Sequence, residues 1–550
     1  MSDRVILDLA FDEERLAAAR AAGGTLHYIV AMRTLPAVAD PGLAAHWPMN
    51  VPGLHRLEFD GGRTILDLAL GEPESLIPEL TARVDEFHAP STQTPLRALA
   101  RLAVPGARLW TSAGDEAWRR GLRAAGFSWD ADTEPLVAHY TSRKPQPPRP
   151  AAPVRSAVVI GAGVAGAAAC ERLCARGWHV TLVERHAGPA QEASGNRAGI
   201  FMPLLSRDDN IPTRLTRAAY LYALRRWHAL GGMAPDGSAP ILGQQCGVLQ
   251  LARDAEHAAL QEEVADAWRY PPEFVRWLDD AQASMLLGSA TPHGAWLFPQ
   301  GGWANPASVC RAMLAACGDR LQRVFHAEAL SLERAGERWL VRGADGKVLA
   351  EGAHAIVANG AGAMQLAQTA QLPLYTMRGQ VTHLAADTFA APALVVCREA
   401  YMTPAADGIA SVGATYDRAS DRTLWPASQA ENLERAREIL GAGRVPAAPP
   451  LAGRVGLRCM APDRLPLVGT LPDYDAAGQP ERLRDVTRHP GLHALLGYAS
   501  RGLIWAPLAA ELLVCQLEGL SSPVEATLAA ALDPGRFLLR NRRKTVATAP

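Results

Sequence analysis

Short apolar runs recur along this chain, and the residues that end each run indicate what it forms. Val158-Val159-Ile160 closes on Gly161 and leads into small and apolar residues at helical spacing through Arg176. A second run, His179–Val183, stops on Glu184. That order predicts a buried parallel strand, a tight turn, a helix and a second parallel strand. Residues 1–140 alternate in a similar way: Val5–Leu9, Asp12–Ala22, His27–Met32, Thr64–Leu70, Leu96–Leu102 and Ala107–Thr111. This is an α/β pattern and predicts a small open sheet. Downstream, Gln244–Ala252, Trp339–Arg342 and Ile409–Thr415 read as strands among Ala-rich helical stretches. They predict a second, largely antiparallel sheet that roofs a ligand cavity. Thr213–Leu230 has apolar residues at helical spacing with arginines on the remaining face. A solvated amphipathic helix is favoured there over a nucleic-acid reader.

At 550 residues the chain exceeds one core. Prolines crowd Ser142–Pro153 and can neither continue a helix nor pair in a sheet, which predicts an extended linker. The expected division is therefore 1–140, a linker 141–153, a larger domain 154–544 and a tail 545–550. The composition, 48% hydrophobic and 20% charged, is ordinary for a globular protein. A formal net charge of −1 advertises no nucleic-acid or membrane partner, so any RNA contact must rest on a local patch. Eight scattered cysteines, without C-x-x-C pairs or zinc spacing, read as reduced thiols. No signal peptide or membrane-length apolar run is visible; a cytoplasmic protein without a metal is expected. The segment Pro534–Lys544 is basic and reads either as a solvated tail or as a phosphate contact.

The glycines of the opening motif stand in G-x-G-x-x-G spacing. Gly161 permits the tight turn, Gly163 lets backbone approach a pyrophosphate, and Gly166 lets helix and strand pack closely. Glu184 is placed to accept hydrogen bonds from ribose hydroxyls, which favours FAD or NAD over NADP. Two features point to FAD. Arg185–Gly199 is a small-residue, polar loop able to wrap a long cofactor, and His354–Gly362 is another strand running into a glycine turn. Arg458 can fork onto a substrate carboxylate, or else pair with Asp463. Gly497–Gly502 leads toward a helix at Leu508–Gln516, whose N–H groups can face the flavin pyrimidine carbonyl. Asn305 reads as a helix N-cap. No general base, Ser/His/Asp arrangement or H-E-x-x-H stands out, and flavin oxidation of an amine needs none.

The segments S-G-N-R-A-G-I-F-M-P (Ser194–Pro203), G-G-W-A-N-P (Gly301–Pro306), R-G-Q-V (Arg378–Val381), D-R-L-P-L-V-G-T-L-P-D (Asp463–Asp473) and S-R-G-L-I-W-A-P-L-A-A-E-L-L (Ser500–Leu513) carry a specific resemblance. They resemble the flavin half of the bacterial bifunctional tRNA 5-methylaminomethyl-2-thiouridine biosynthesis proteins. That half belongs to the D-amino-acid oxidase and glycine oxidase superfamily. The resemblance implies a FAD-binding Rossmann domain with an inserted, mainly antiparallel substrate sheet. It further implies FAD contacts from Gly161, Gly163, Gly166, Glu184, Arg185, Ser194, Gly195, Asn196, Ala198, Gly199, Asn359, Gly360, Ser500, Arg501, Gly502 and Leu503, with Arg458 as the carboxylate clamp. The implied reaction oxidises the carboxymethylaminomethyl group of a tRNA wobble uridine to aminomethyluridine and glyoxylate, and a monomer is expected.

Residues 1–140 resemble a truncated Rossmann-like methyltransferase half through Leu26–Val30, Pro52–Arg63 and Arg97–Ala107, but with departures. The glycine-rich cofactor loop corresponds to Ala10-Phe11-Asp12-Glu13-Glu14, the ribose-binding acid to Met32, and an Asp-Gly-Phe-Ala-Pro loop to Glu86-Phe87-His88-Ala89-Pro90. Missing glycines and three added acids oppose a carboxylate-bearing cofactor such as S-adenosylmethionine. Loss of methylation is expected. The alternatives are a bifunctional enzyme that still methylates, an oxidase of free glycine, sarcosine or D-amino acids, and a first domain that only docks tRNA.

Overall fold

The computed structural model describes residues 4–141, 154–445 and 452–539. The proline-rich segment 142–153 and the basic residues from Arg540 onward lie outside the described residues. The chain divides into two compact units, Met1–Pro153 with Val514–Ala529, and Val154–Leu513 with Ala530–Pro550.

The first unit is built on one eight-stranded sheet. Its strands run in the order Gly53–Phe59, Thr64–Leu70, Leu26–Met32, Arg4–Asp8, Val84–Ala89, Ala103–Thr111, Leu136–Tyr140 and Phe127–Ser128. The central five are parallel and the outer pairings antiparallel. Successive residues face opposite layers, and both layers are covered: Leu7 and Ile29 pack with Phe87 and Leu109, whereas Ile6, Tyr28 and Val30 pack with Leu16 and Leu66. This two-sided burial explains the near-continuous apolar strands. Glu86–Ala89, the counterpart of the family's Asp-Gly-Phe-Ala-Pro loop, lies within the strand Val84–Ala89. Asp12 caps the helix Glu13–Ala21, accepting from the Glu14 and Arg15 N–H groups at 2.9 and 3.1 Å.

Arg56 and Asp67 form a buried pair at 2.7 Å beside His27. Arg56 also donates to Cys515 Sγ and to the Ser521 carbonyl, at 3.0 and 2.9 Å, tying Val514–Ala529 to the sheet. Burial would raise the Asp67 pKa, but the neighbouring Arg56 and His27 outweigh it and hold it at about 2.

The second unit contains a six-stranded sheet ordered Leu321–Val324, His179–Val183, Ser156–Ile160, His354–Val357, Arg488–Leu496 and Leu467–Pro472. All pairings are parallel except the last. An eight-stranded sheet beside it is antiparallel at every pairing but one. The helix Val164–Ala175 follows the first strand, and Arg172 and Arg176 at its end bind Glu511 at 2.8 and 2.7 Å.

Three expectations are corrected in this unit. The helix Ile211–Ala229 is largely buried, and Arg217 and Arg226 on it bind Asp209 and Glu171 at 2.6 Å each rather than facing solvent. Arg536, at the start of the basic C-terminal stretch, is buried and forks onto Asp463 at 3.0 Å. It is a packing residue, not a phosphate contact. The helix expected at Leu508–Gln516 runs Gly502–Glu518, starting six residues before Leu508, with Pro507 inside it.

Candidate active site

Gly161 has φ +99°, and a Cβ there would lie 2.6 Å from Asn359 Cα, so the two glycine turns approach at backbone contact. A Cβ at Gly166 would fall 1.8 Å from the Gly161 carbonyl oxygen. No residue other than glycine fits there without moving strand from helix. Gly163 caps the helix with an ordinary φ of −74°; what crowds it is Ser194, whose Oγ would stand 3.1 Å from a Cβ. The same Oγ accepts from the Val164 N–H at 3.2 Å, so Ser194 folds over the helix N-terminus. Glu184 is buried, and its two carboxylate oxygens accept from the Ala162 and His186 N–H groups at 2.7 and 2.9 Å. Each oxygen keeps a second lone pair for a ligand hydroxyl.

These turns open into one cavity of about 450 Å³ within the second unit. Of the expected cofactor contacts, Gly161, Gly163, Glu184, Arg185, Ser194, Asn196, Gly199, Asn359, Gly360, Ser500, Arg501, Gly502 and Leu503 line it. Gly166, Gly195 and Ala198 do not. Gly166 sets the helix–strand distance, and Gly195 leaves room for the Arg454 guanidinium, 2.2 Å from where its Cβ would be. Ala198 is buried next to Arg197, whose carbonyl accepts from Asn305 Nδ2 at 2.9 Å. Asn305 also caps its helix by accepting from the Ser308 N–H at 2.8 Å.

Arg185 is drawn to Glu192, which also meets Arg422 and His186 at 2.8 and 2.9 Å. Burial would raise the Glu192 pKa, but hydrogen bonds from Arg422, His186 and Arg185 bring it down to about 2.

Arg458 reaches the cavity from the strand Ala452–Met460. Its alternative partner, Asp463, is held by Arg536 instead. Arg458 Nη1 donates to the Thr415 carbonyl at 3.2 Å, and the guanidinium lies 4.4 Å from the Tyr416 ring centroid. No carboxylate binds it among the described residues. Gly379 makes the space: a Cβ there would lie 2.0 Å from Arg458 Nη1. Arg501 is a second cation at the cavity, donating to the Met202 carbonyl at 3.4 Å. Burial lowers its pKa from the ordinary arginine value. The cavity therefore favours an anionic ligand end. Asn359 Oδ1 and the Tyr498 hydroxyl, both from lining residues, are buried without a hydrogen-bond partner among the described residues.

Sequence reasoning missed Gly379, Gly456, Tyr401, Tyr416 and Tyr498 as lining residues. Gly379 and Gly456 face each other across paired strands, and a lone glycine inside a strand is a readable sign of close approach. The tyrosines carry no such sign.

Residues 156–516 match the DAO family model, described as FAD dependent oxidoreductase. Over 550 residues the chain is 44% identical to the tRNA 5-methylaminomethyl-2-thiouridine biosynthesis bifunctional protein MnmC of Burkholderia thailandensis, covering 94% of this chain and 83% of that protein. It is 42% identical to the MnmC protein of an Azoarcus species, covering 91% of this chain and 81% of that one. The chain belongs to the MnmC family.

Its second unit is accordingly an FAD-dependent oxidoreductase. Among solved structures, this MnmC-family chain shares its fold with glycine oxidase from Geobacillus kaustophilus, with a TM-score of 0.55, 20% identity and coverage of 70% of this chain and 99% of that one. Iminodiacetate oxidase from Chelativorans gives a TM-score of 0.54 at 24% identity, covering 67% and 96%. The residues present fit FAD: a glycine-built helix N-terminus for its pyrophosphate, Glu184 for its ribose, and Asn359 Oδ1 still open to a donor. No helix among the described residues is long and apolar enough to cross a membrane.

Proposed function

We propose that the second unit oxidises the carboxymethylaminomethyl group of a tRNA wobble uridine, releasing glyoxylate and leaving aminomethyluridine. The observation that carries this reading is Arg458, an arginine lining the cavity with no carboxylate bound to it among the described residues, in a chain 44% identical to an MnmC protein. A guanidinium fork matches the two oxygens of the substrate's terminal carboxylate. Bound FAD would supply the hydride acceptor for the carbon between that carboxylate and the nitrogen. Arg458 holds the carboxylate so that this carbon is presented to the ring, and the cavity wall limits water around it. Hydrolysis of the resulting imine separates glyoxylate from the amine. The start of the helix Gly502–Glu518, with Ser500 and Arg501, lines the cavity and would offer N–H groups and positive charge to a bound flavin as it is reduced.

The proposal extends to the first unit, which we take to have lost methylation. The strand order reverses between Arg4–Asp8 and Val84–Ala89, the place where an open α/β sheet takes its ligand. There Asp8 is bound at 2.5 Å by both Arg15 and the Tyr28 hydroxyl. Glu13 is tied to the Ala39 and Asp40 N–H groups at 2.7 and 3.0 Å. The crevice is thus occupied by the chain's own pairs, with no glycine turn to admit a cofactor.

The test is product analysis. Incubating the FAD-loaded protein with tRNA bearing the carboxymethylaminomethyl group should yield glyoxylate, trapped as its phenylhydrazone, in proportion to the aminomethyluridine formed. Absence of glyoxylate would refute the reading.

A further inference from the structure

The exposed lip of the active-site cavity has the chemistry of a single-stranded RNA contact. Residues Tyr416–Trp425 form a segment without helix or strand, and two of its members, Tyr416 and Arg422, line the cavity while remaining exposed. Tyr416 is 57% exposed at the edge of the cavity it lines. One face rests on Arg458, and over half of the residue's surface is open to solvent.

The segment is held rigidly. Arg378, wholly buried, donates from Nε to the Asp421 carbonyl at 2.9 Å and from Nη2 to the Thr423 carbonyl. Its backbone exchanges hydrogen bonds with Asp417 at 2.7 and 3.0 Å, and its guanidinium stacks 3.9 Å from the Trp425 ring centroid. The two acids of the segment are turned into its own bends. Asp417 accepts from the Ala419 N–H at 2.7 Å, and Asp421 accepts from the Thr423 N–H at 2.8 Å and from Trp425 Nε1 at 2.7 Å. Arg422 is paired with Glu192. Arg418 is exposed and forms no ion pair among the described residues. The lip therefore presents an open aromatic face and one uncommitted cation on a preorganised frame.

We propose that this lip docks the anticodon loop, with Tyr416 stacking the base to be oxidised and Arg418 contacting a flanking phosphate. The inference rests on the tRNA reading above. Specific RNA contacts characteristically splay single-stranded bases onto aromatic side chains, with cations on the backbone. The geometry agrees with the substrate. Four bonds separate its carboxylate carbon from C5 of the uracil, about 5 Å when extended. A carboxylate on Arg458 therefore brings the base to the neighbourhood of the Tyr416 ring. This also gives the R-G-Q-V segment a role, since Arg378 is what fixes the lip.

The experiment is fluorescence anisotropy of a labelled anticodon stem-loop RNA against the FAD-loaded full chain, across a salt series. Tyr416→Ala should raise Kd roughly five- to a hundredfold, and Tyr416→Trp should restore most of it. Arg418→Ala should weaken binding and reduce the slope of log K on log salt by about 0.7. Flavin absorbance, recorded for every variant, reports that the fold is kept. If the parent binds the stem-loop while Tyr416→Ala and Arg418→Ala match it in Kd and slope, the lip assignment is overturned and the tRNA reading stands. If the parent itself does not bind, both fall.

Discussion

Arg458 offers five N–H donors, and one described protein acceptor, the Thr415 carbonyl, takes one of them. The remaining donors are suited to a ligand anion. Truncating one partner of such a charge-assisted pair costs roughly 2–4 kcal/mol, or thirty- to a thousandfold in equilibrium terms. Arg458→Ala should therefore raise KM for modified tRNA by that factor and leave the flavin absorbance of the purified protein unchanged. An unaltered KM would remove Arg458 from the site. Much of this was legible residue by residue, because G-x-G-x-x-G spacing and a strand-terminal acid each encode a local geometric need. What removed Asp463 as a partner for Arg458 was not local. Arg536, 73 positions further on, claims Asp463, and its sequence surroundings read as a basic tail.

Strands and helices were easier to read than their limits. Thr64–Leu70 and Leu96–Leu102 occupy the predicted spans, since alternation and helical spacing are set by burial of a face. Pro507 misplaced the start of the helix Gly502–Glu518: proline favours a first turn, yet this helix accepts it further in. A second element-scale feature was invisible in sequence. His354 and His493 come from the neighbouring parallel strands His354–Val357 and Arg488–Leu496, with Nδ1 and Nε2 3.1 Å apart. Burial, and then the neighbouring His354, lower the His493 pKa to about 3. The folded protein thus keeps His493 neutral where the unfolded chain, with a pKa near 6.5, takes up a proton. Its contribution to stability is present above about pH 6.5 and is lost as pH falls from there toward 3, by about 1.4 kcal/mol per pH unit. His493→Gln should flatten the fall in Tm between pH 7 and pH 5; an unchanged profile would contradict this.

Across the whole molecule, the α/β character of both units followed from alternating patterns. The grouping of Val514–Ala529 with the first unit did not, because it depends on the buried Arg56 contacts to Cys515 and Ser521. Nor did the sequence reveal that Asp8, Arg15 and Tyr28 close on one another at the sheet's switch point. That closure leads to an expectation for the full chain: isothermal titration with S-adenosylmethionine should give no heat of binding, and a micromolar Kd would refute loss of the methyltransferase function. Anaerobic mixing tests most directly whether the oxidoreductase takes modified tRNA as its substrate. TRNA carrying the carboxymethylaminomethyl group should bleach the flavin absorbance of the FAD-loaded protein, while free glycine should leave it oxidised. Bleaching by glycine with none by the tRNA would contradict the account.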